Sequence, residues 1–180
     1  KIPTNQIFED VDRAIEWAED NLLRDVLDET LPAEEMRLEQ SSILNNFDPD
    51  EIAALKARLT RVAHPKGGVI FREGDSGTDL FIVTRGTASA YIHQATGRDI
   101  RLVTFAPGTV FGELAILDAG PRSASIIADD DFVSYALSQA QFAVLSREAP
   151  AIAIKLLANL GRELSGRLRR ADRMINELEM

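Results

Sequence analysis

The hydrophobic pattern of this chain changes period twice, which limits the fold more than any other sequence feature. Between Val69 and Leu137 the apolar residues fall in short runs punctuated by glycines, a pattern typical of strands joined by tight turns. The predicted strands are Val69–Phe71, Leu80–Val83, Ala88–Ile92, Ile100–Phe105 and Phe132–Leu137. After Ser138 the apolar residues recur at helical spacing almost to the C-terminus. The sequence therefore predicts an α+β fold, in which an antiparallel β-roll (jelly roll) is flanked by N- and C-terminal helices.

Helical patterns also come before the β-region. Residues Ile7 to Leu23 have amphipathic spacing, and an acid-rich linker follows them. Further on, Asp48 is suited to be a helix N-cap, with Glu51 completing a capping box. We expect that helix to continue until just before Pro65, because the residue before a proline resists the helical region. Its expected buried stripe is Ile52, Leu55, Leu59 and Val62.

These patterns predict two domains. Residues 1–40 are expected to hold the terminal helix of a preceding domain plus a linker, and residues 41–180 the β-roll with its C-terminal helices. Because the chain begins with Lys1 inside a helical pattern, we expect it to be part of a longer protein.

Composition narrows the chemistry. The chain has no cysteine, so disulfides, thiolate catalysis and cysteine-ligated zinc are excluded, and His64 and His93 stand far apart without companion ligands. No nucleophile–base pair is visible, so we expect a domain that is not an enzyme and has no metal site. The net charge of −9 argues against nucleic acid as a partner. The C-terminal arginines 162, 167, 169, 170 and 173 are interpreted as the solvated face of a long helix.

One segment of the β-region, from Pro107 to Ser125, is unlike a strand. Gly112 allows close approach of the backbone to a ligand, and Glu113–Leu117 can form a short helix. The first N–H groups of a helix have no internal partner and favour an anion. Arg122 supplies a planar cation suited to phosphate oxygens, and the Glu113 carboxylate can accept a hydrogen bond from a sugar hydroxyl. The combination fits a sugar fused to a phosphate.

This segment resembles the phosphate-binding cassette of the cyclic-nucleotide-binding domain family. The cassette comprises Phe111–Ala115 and Pro121–Ser125, and the resemblance extends over about Ile43 to Leu168. Two further stretches, Gly67–Asp75 and Leu80–Gly86, resemble early strands and turns of that fold. The resemblance implies the family's β-roll and a regulatory module that binds a cyclic nucleotide.

The resemblance also implies which residues contact the ligand. Glu113 corresponds to the acceptor of the ribose 2′-hydroxyl, the Ala115 N–H and Arg122 correspond to phosphate donors, and Leu117 corresponds to an apolar relay residue. Ser123 follows the arginine, and because serine at that position occurs in bacterial cAMP binders, the resemblance implies cAMP, with cGMP as the alternative. The full predicted ligand set is Phe111, Gly112, Glu113, Leu114, Ala115, Arg122, Ser123 and Ala124.

The expected partner is a domain of the same parent protein. The run from Phe8 to Glu19 resembles the last helix of a STAS domain, which implies a transporter or a glutaminase-type enzyme as the parent. A cytoplasmic location is expected, including the cytosolic side of a membrane protein. The alternative hypothesis is a structural module with the same fold that binds no ligand and forms a homodimer through its terminal helices, with Leu156, Leu160, Leu164 and Leu168 as the stripe between chains.

Overall fold

The computed structural model describes residues 35–93, 99–118 and 120–178. The chain divides into two units, Lys1–Glu34 and Glu35–Met180, and the described residues belong to the second. The predicted helix Ile7–Leu23 and the STAS-like run therefore lie outside the described residues. No helix in the described part is long and apolar enough to cross a membrane.

Eight strands form the centre of the described part. They are β1 Thr60–His64, β2 Val69–Phe71, β3 Asp79–Arg85, β4 Ala88–His93, β5 Asp99–Phe105, β6 Val110–Phe111, β7 Ser125–Ala128 and β8 Phe132–Ser138. The helices are α1 Pro49–Lys56, α2 Leu114–Leu117, α3 Gln139–Glu148 and α4 Pro150–Leu178, with 3-10 turns at Leu38–Gln40 and Ser42–Leu44.

The strands pair into two antiparallel four-stranded sheets. One has the order β1-β8-β3-β6 and the other the order β2-β7-β4-β5. Helices lie before and after the sheets along the chain, so the predicted α+β β-roll is confirmed. Every strand predicted from the apolar runs is present, because period-2 alternation between glycine turns specifies a half-buried strand.

The helix expected up to Pro65 is shorter in the structure. The Asp48 capping box forms, with the Glu51 N–H donating to Asp48 Oδ1 at 2.8 Å and the Asp48 N–H donating to Glu51 Oε2 at 2.9 Å. The helix then ends at Lys56, and the residues from Thr60 form β1, which pairs with β8. The prediction of a helix through Val62 was wrong. Val62 has high β propensity, and pairing with β8 supplies hydrogen bonds that a single-sequence pattern does not reveal.

Two apolar clusters hold the domain together. Between the sheets, four phenylalanines pack around Phe111, whose ring stacks on Phe81 with centroids 5.0 Å apart. The helices pack over the other cluster, where Leu156 and Leu160 of α4 are fully buried. Because Leu156 and Leu160 lie in the core of their own domain, they cannot serve as the stripe between chains that the sequence suggested.

Candidate functional site

The segment between β6 and β7 encloses a cavity of about 160 Å³. It lies against the phenylalanine cluster and opens beside α2. Seven of the eight predicted ligand residues line it, namely Phe111, Gly112, Glu113, Leu114, Arg122, Ser123 and Ala124. The eighth, Ala115, lies in α2, and its side chain is outside the described part. The fold thus brings the two halves of the segment around one space.

Arg122 points inward and is only 7% exposed. Its Nη1 donates to the carbonyl oxygen of Asp79 at 2.9 Å and to that of Gly112 at 3.3 Å. Its guanidinium carbon lies 4.0 Å from the centroid of the Phe71 ring, which is within cation–π distance. The side chain is therefore held in one orientation by backbone acceptors and an aromatic face.

Two glycines make room for this side chain. A Cβ atom on Gly77 would lie 1.8 Å from Arg122 Nε, and one on Gly112 would lie 2.7 Å from Arg122 Nη1. Gly112 also has a φ of 72°, a left-handed conformation that side chains other than glycine rarely adopt. The backbone of Arg122 is fixed as well, because its N–H donates to the carbonyl of Asp75 at 2.9 Å. The Gly74–Gly77 turn therefore forms part of the seat of Arg122.

The guanidinium is not fully satisfied by the protein. Among the described residues, Arg122 Nε is a buried donor with no hydrogen-bond partner. Burial lowers the pKa of Arg122, whereas the carboxylates of Asp79, Asp75 and Glu113 raise it. An unpaired N–H of a buried cation costs free energy. The Nε faces Gly77, where a Cβ would lie 1.8 Å from it.

Glu113 occupies the N-cap position of α2, and its side chain is also buried. The expected helix Glu113–Leu117 begins one residue later, at Leu114. The Glu113 carboxylate makes no capping hydrogen bond and instead accepts from Arg167 Nη1 at 2.9 Å. Arg167 is carried by α4, so the cavity is bounded by the long C-terminal helix as well as by the β-roll.

Three of the predicted residues are more exposed than their roles suggested. Leu117 is 45% exposed and does not belong to the core, whereas Ile116 points inward at 9% exposed. In a four-residue helix, positions 114 and 117 share one face, and here that face is turned to solvent. Leu114 is 42% exposed and Ser123 is also exposed, although both border the cavity.

Sequence reasoning missed part of the site. Arg167 was assigned to a solvated helix face, but its side chain enters the cavity, so that assignment was wrong for this residue. Gly77 was interpreted only as turn punctuation, and Phe71 only as a strand residue. The leucines between the C-terminal arginines hid Arg167, because a helical repeat does not reveal which turn of the helix meets the cassette.

A second cavity of about 370 Å³ is lined by residues of β1, β3 and β8. It is bordered by residues of β1 and β8 that include His64 and Ala136, and by Arg58 before β1. Burial lowers the pKa of His64. Within the described residues there is no group of three or more metal-ligating side chains at this cavity or elsewhere.

The fold and the first cavity are those of a ligand-binding domain of the β-roll class. A family model described as "Cyclic nucleotide-binding domain" matches residues 61–148. Residues 61–148 therefore carry a cyclic-nucleotide-binding domain.

Relatives of known name agree with this assignment. The chain is 34% identical to the cyclic AMP receptor protein of Thermus thermophilus over 132 residues, which cover 73% of this chain and 59% of that protein. The crystal structure of the Thermus thermophilus catabolite activator protein has a TM-score of 0.68 and 32% identity, covering 77% of this chain and 63% of that one. The chain thus spans about three fifths of the length of these relatives.

A different kind of relative matches more of the chain. Glutaminase 2 of Bradyrhizobium diazoefficiens is 32% identical over 168 residues, which cover 93% of this chain and 26% of that protein. A match of this length cannot be confined to residues 35–180, so it includes part of the N-terminal unit.

Proposed function

We propose that this chain is a regulatory module that binds cAMP in the first cavity and relays its occupancy to another domain of its parent protein. The observation that carries the proposal is the buried guanidinium of Arg122, which backbone carbonyls and the Phe71 ring hold at the wall of the cavity. A phosphate oxygen there would complete the hydrogen bonding of a cation that the fold already holds in place. Arginine is suited to this task because its planar donors match two phosphate oxygens.

The rest of the cavity suits the other parts of a cyclic nucleotide. Glu113 offers a buried carboxylate as an acceptor for the ribose 2′-hydroxyl. Leu102 and Val103 of β5 border the opening and are 54% and 45% exposed, so they offer apolar surface to a purine ring. Ser123, at the edge of the cavity, favours adenine over guanine by the resemblance, and the named relative is a cyclic AMP receptor.

Isothermal titration of the 180-residue chain with cAMP tests this proposal. Loss of a charge-assisted hydrogen bond costs about 1.5–3 kcal/mol, so Arg122→Ala is expected to weaken binding about 10- to 150-fold. Arg169→Ala is the matched control, because it removes the same charge from an exposed position of α4. No binding at millimolar cAMP, or equal affinities of wild type and Arg122→Ala, would refute the proposal. A parallel titration with cGMP measures the preference for the base.

The proposal also concerns the domain to which this module is attached. The match to a glutaminase supports a glutaminase-type enzyme as the parent, with the upstream unit between the two, and a transporter with a STAS domain is the other candidate. This module itself would be cytoplasmic and would not turn over its ligand. Intact cAMP after prolonged incubation, measured chromatographically, is the expected result. Any hydrolysis that follows the protein concentration would contradict it.

The alternative, a dimerising module, is favoured by one observation on α4. Ile154, Leu157 and Leu168 are 65%, 37% and 64% exposed, and with Leu164 they follow the 3–4 spacing of a coiled-coil seam in which Gly161 takes one position. This stripe differs from the one suggested by the sequence, because Leu156 and Leu160 are buried within their own domain. The candidate partner is a second copy of the chain, whose α4 would run parallel to the α4 of the first copy. Light scattering should give a dimer that Leu168→Glu dissociates, and a monomeric wild type would exclude this role.

A further inference from the structure

We propose that Arg167 is a built-in competitor of the nucleotide, which holds Glu113 in the ligand-free domain and must leave it when a ribose binds. This inference rests on the function proposed above and concerns the regulation of the same site. It assigns to one residue of α4 the coupling between the cavity and the C-terminal helix.

The contacts of Arg167 are specific to the cavity. Its Nη1 donates to Glu113 Oε1 at 2.9 Å, and its Nη2 donates to the carbonyl oxygen of Val110. Its guanidinium carbon lies 5.3 Å from the centroid of the Phe105 ring. The side chains of Arg167 and Glu113 are 26% and 10% exposed, so this ion pair is largely withdrawn from water. Three contacts to three different parts of the β-roll fix the guanidinium in the mouth of the site.

The same contacts conflict with a bound nucleotide. Glu113 is the carboxylate proposed to accept the ribose hydroxyl, and Arg167 already occupies its Oε1, so a ribose hydroxyl has only Oε2 unless Arg167 leaves. The cavity measures about 160 Å³, which is smaller than the roughly 300 Å³ at which ligand pockets begin. A nucleotide therefore either extends through the opening of the cavity or displaces a side chain that lines it. Arg167 is the candidate because a helix separate from the β-roll carries it, whereas backbone acceptors and Phe71 hold Arg122 in place.

The consequence is a thermodynamic link between the cavity and α4. A ligand that displaces Arg167 binds more weakly by the free energy of the lost contacts, and it releases the second half of α4 from the cassette. The first half of α4 stays anchored, because Leu156 and Leu160 are buried and Asn159 donates to the carbonyl of Ile43 at 2.8 Å. Displacement would therefore free the helix only beyond its first three turns.

The test compares Arg167→Met with the matched control Arg169→Met by titration with cAMP and 2′-deoxy-cAMP. Methionine keeps the length and apolar stem of the side chain but removes the guanidinium. Arg167→Met is expected to bind cAMP about fivefold tighter than wild type, at the low end of coupling factors between sites. The gain should be smaller for 2′-deoxy-cAMP, which does not need Glu113, and Arg169→Met should match wild type.

Each outcome has a defined meaning. If wild type binds cAMP and Arg167→Met binds it equally or more weakly, the competition is overturned while the proposed function stands. If Arg167→Met binds cAMP and wild type does not, Arg167 blocks the site outright: the competition is supported, and the function proposed for the wild-type chain is overturned. If neither protein binds any cyclic nucleotide, both proposals are overturned.

Hydrogen exchange supplies a readout that needs no ligand. Without nucleotide, residues 164–178 should exchange faster in Arg167→Met than in wild type, because the anchor of this half of α4 is gone. Adding cAMP to wild type should raise exchange in the same residues to the level of the variant. Equal exchange in the two ligand-free proteins would overturn the anchoring role.

Discussion

Replacing Gly77 by alanine is expected to weaken nucleotide binding strongly, although Gly77 itself is not a predicted ligand residue. The added Cβ would lie 1.8 Å from Arg122 Nε, 2.3 Å from Cζ and 2.6 Å from Cδ, far inside van der Waals contact. Gly77 does not have a positive φ, so alanine strains the backbone little, and the conflict falls on the arginine side chain. The guanidinium must therefore leave its seat.

The magnitudes separate an effect on binding from an effect on folding. Displaced Arg122 loses its bond to the Asp79 carbonyl, which is worth about 1.5–3 kcal/mol for a charged donor. Its buried and unpaired Nε regains water, which returns about 1–3 kcal/mol. These two terms nearly cancel, and the additional loss of the long Gly112 bond and of the Phe71 contact should lower the free energy of unfolding by about 0.5–2 kcal/mol. Nucleotide binding has no such compensation and should weaken about 10- to 150-fold, as for loss of the arginine itself.

Calorimetric titration of Gly77→Ala, Arg122→Ala and the double variant with cAMP measures this effect. The double variant should bind no more weakly than Arg122→Ala alone, because both substitutions remove one interaction. The reasoning is refuted if Gly77→Ala binds cAMP within threefold of wild type, or if the two losses add.

Three further outcomes are expected. Gly161→Ala should raise the melting temperature by about 2–4 °C with unchanged cAMP affinity, since a Cβ there meets nothing within 4 Å and alanine gains about 1 kcal/mol in a helix; calorimetric scanning checks this, and a lower melting temperature would contradict it. Phe111→Ala should cost about 3–5 kcal/mol in urea unfolding, because it empties the centre of the phenylalanine cluster; a cost below 1 kcal/mol would argue against that packing. Burial lowers the pKa of His64 from about 6.5, so the unfolded chain takes up the proton first, and wild type should lose more stability between pH 7.5 and 5.5 than His64→Gln; parallel losses in urea midpoints would show that His64 contributes nothing.

The sequence predicted the kind of fold because its local patterns agree with the tertiary structure. Glycine-bounded apolar runs define strands wherever one face is buried, and Asp48 and Glu51 cap a helix using only residues within one turn. The failures lie where distant partners decide. Thr60–His64 became a strand because β8 is available to pair with it.

The cassette residues themselves were readable from the sequence, because a glycine, a carboxylate and an arginine at fixed spacing fall within one continuous segment. The residues that surround the cassette could not be predicted from the sequence. Gly77 beneath Arg122 and Arg167 against Glu113 are 45 and 54 residues away along the chain, and only the folded sheets and the direction of α4 bring them into contact. Local sequence thus determined which chemical groups the site contains. Long-range packing decided how the arginine is held and which side chain shares the site, because those contacts depend on the relative positions of whole strands and helices.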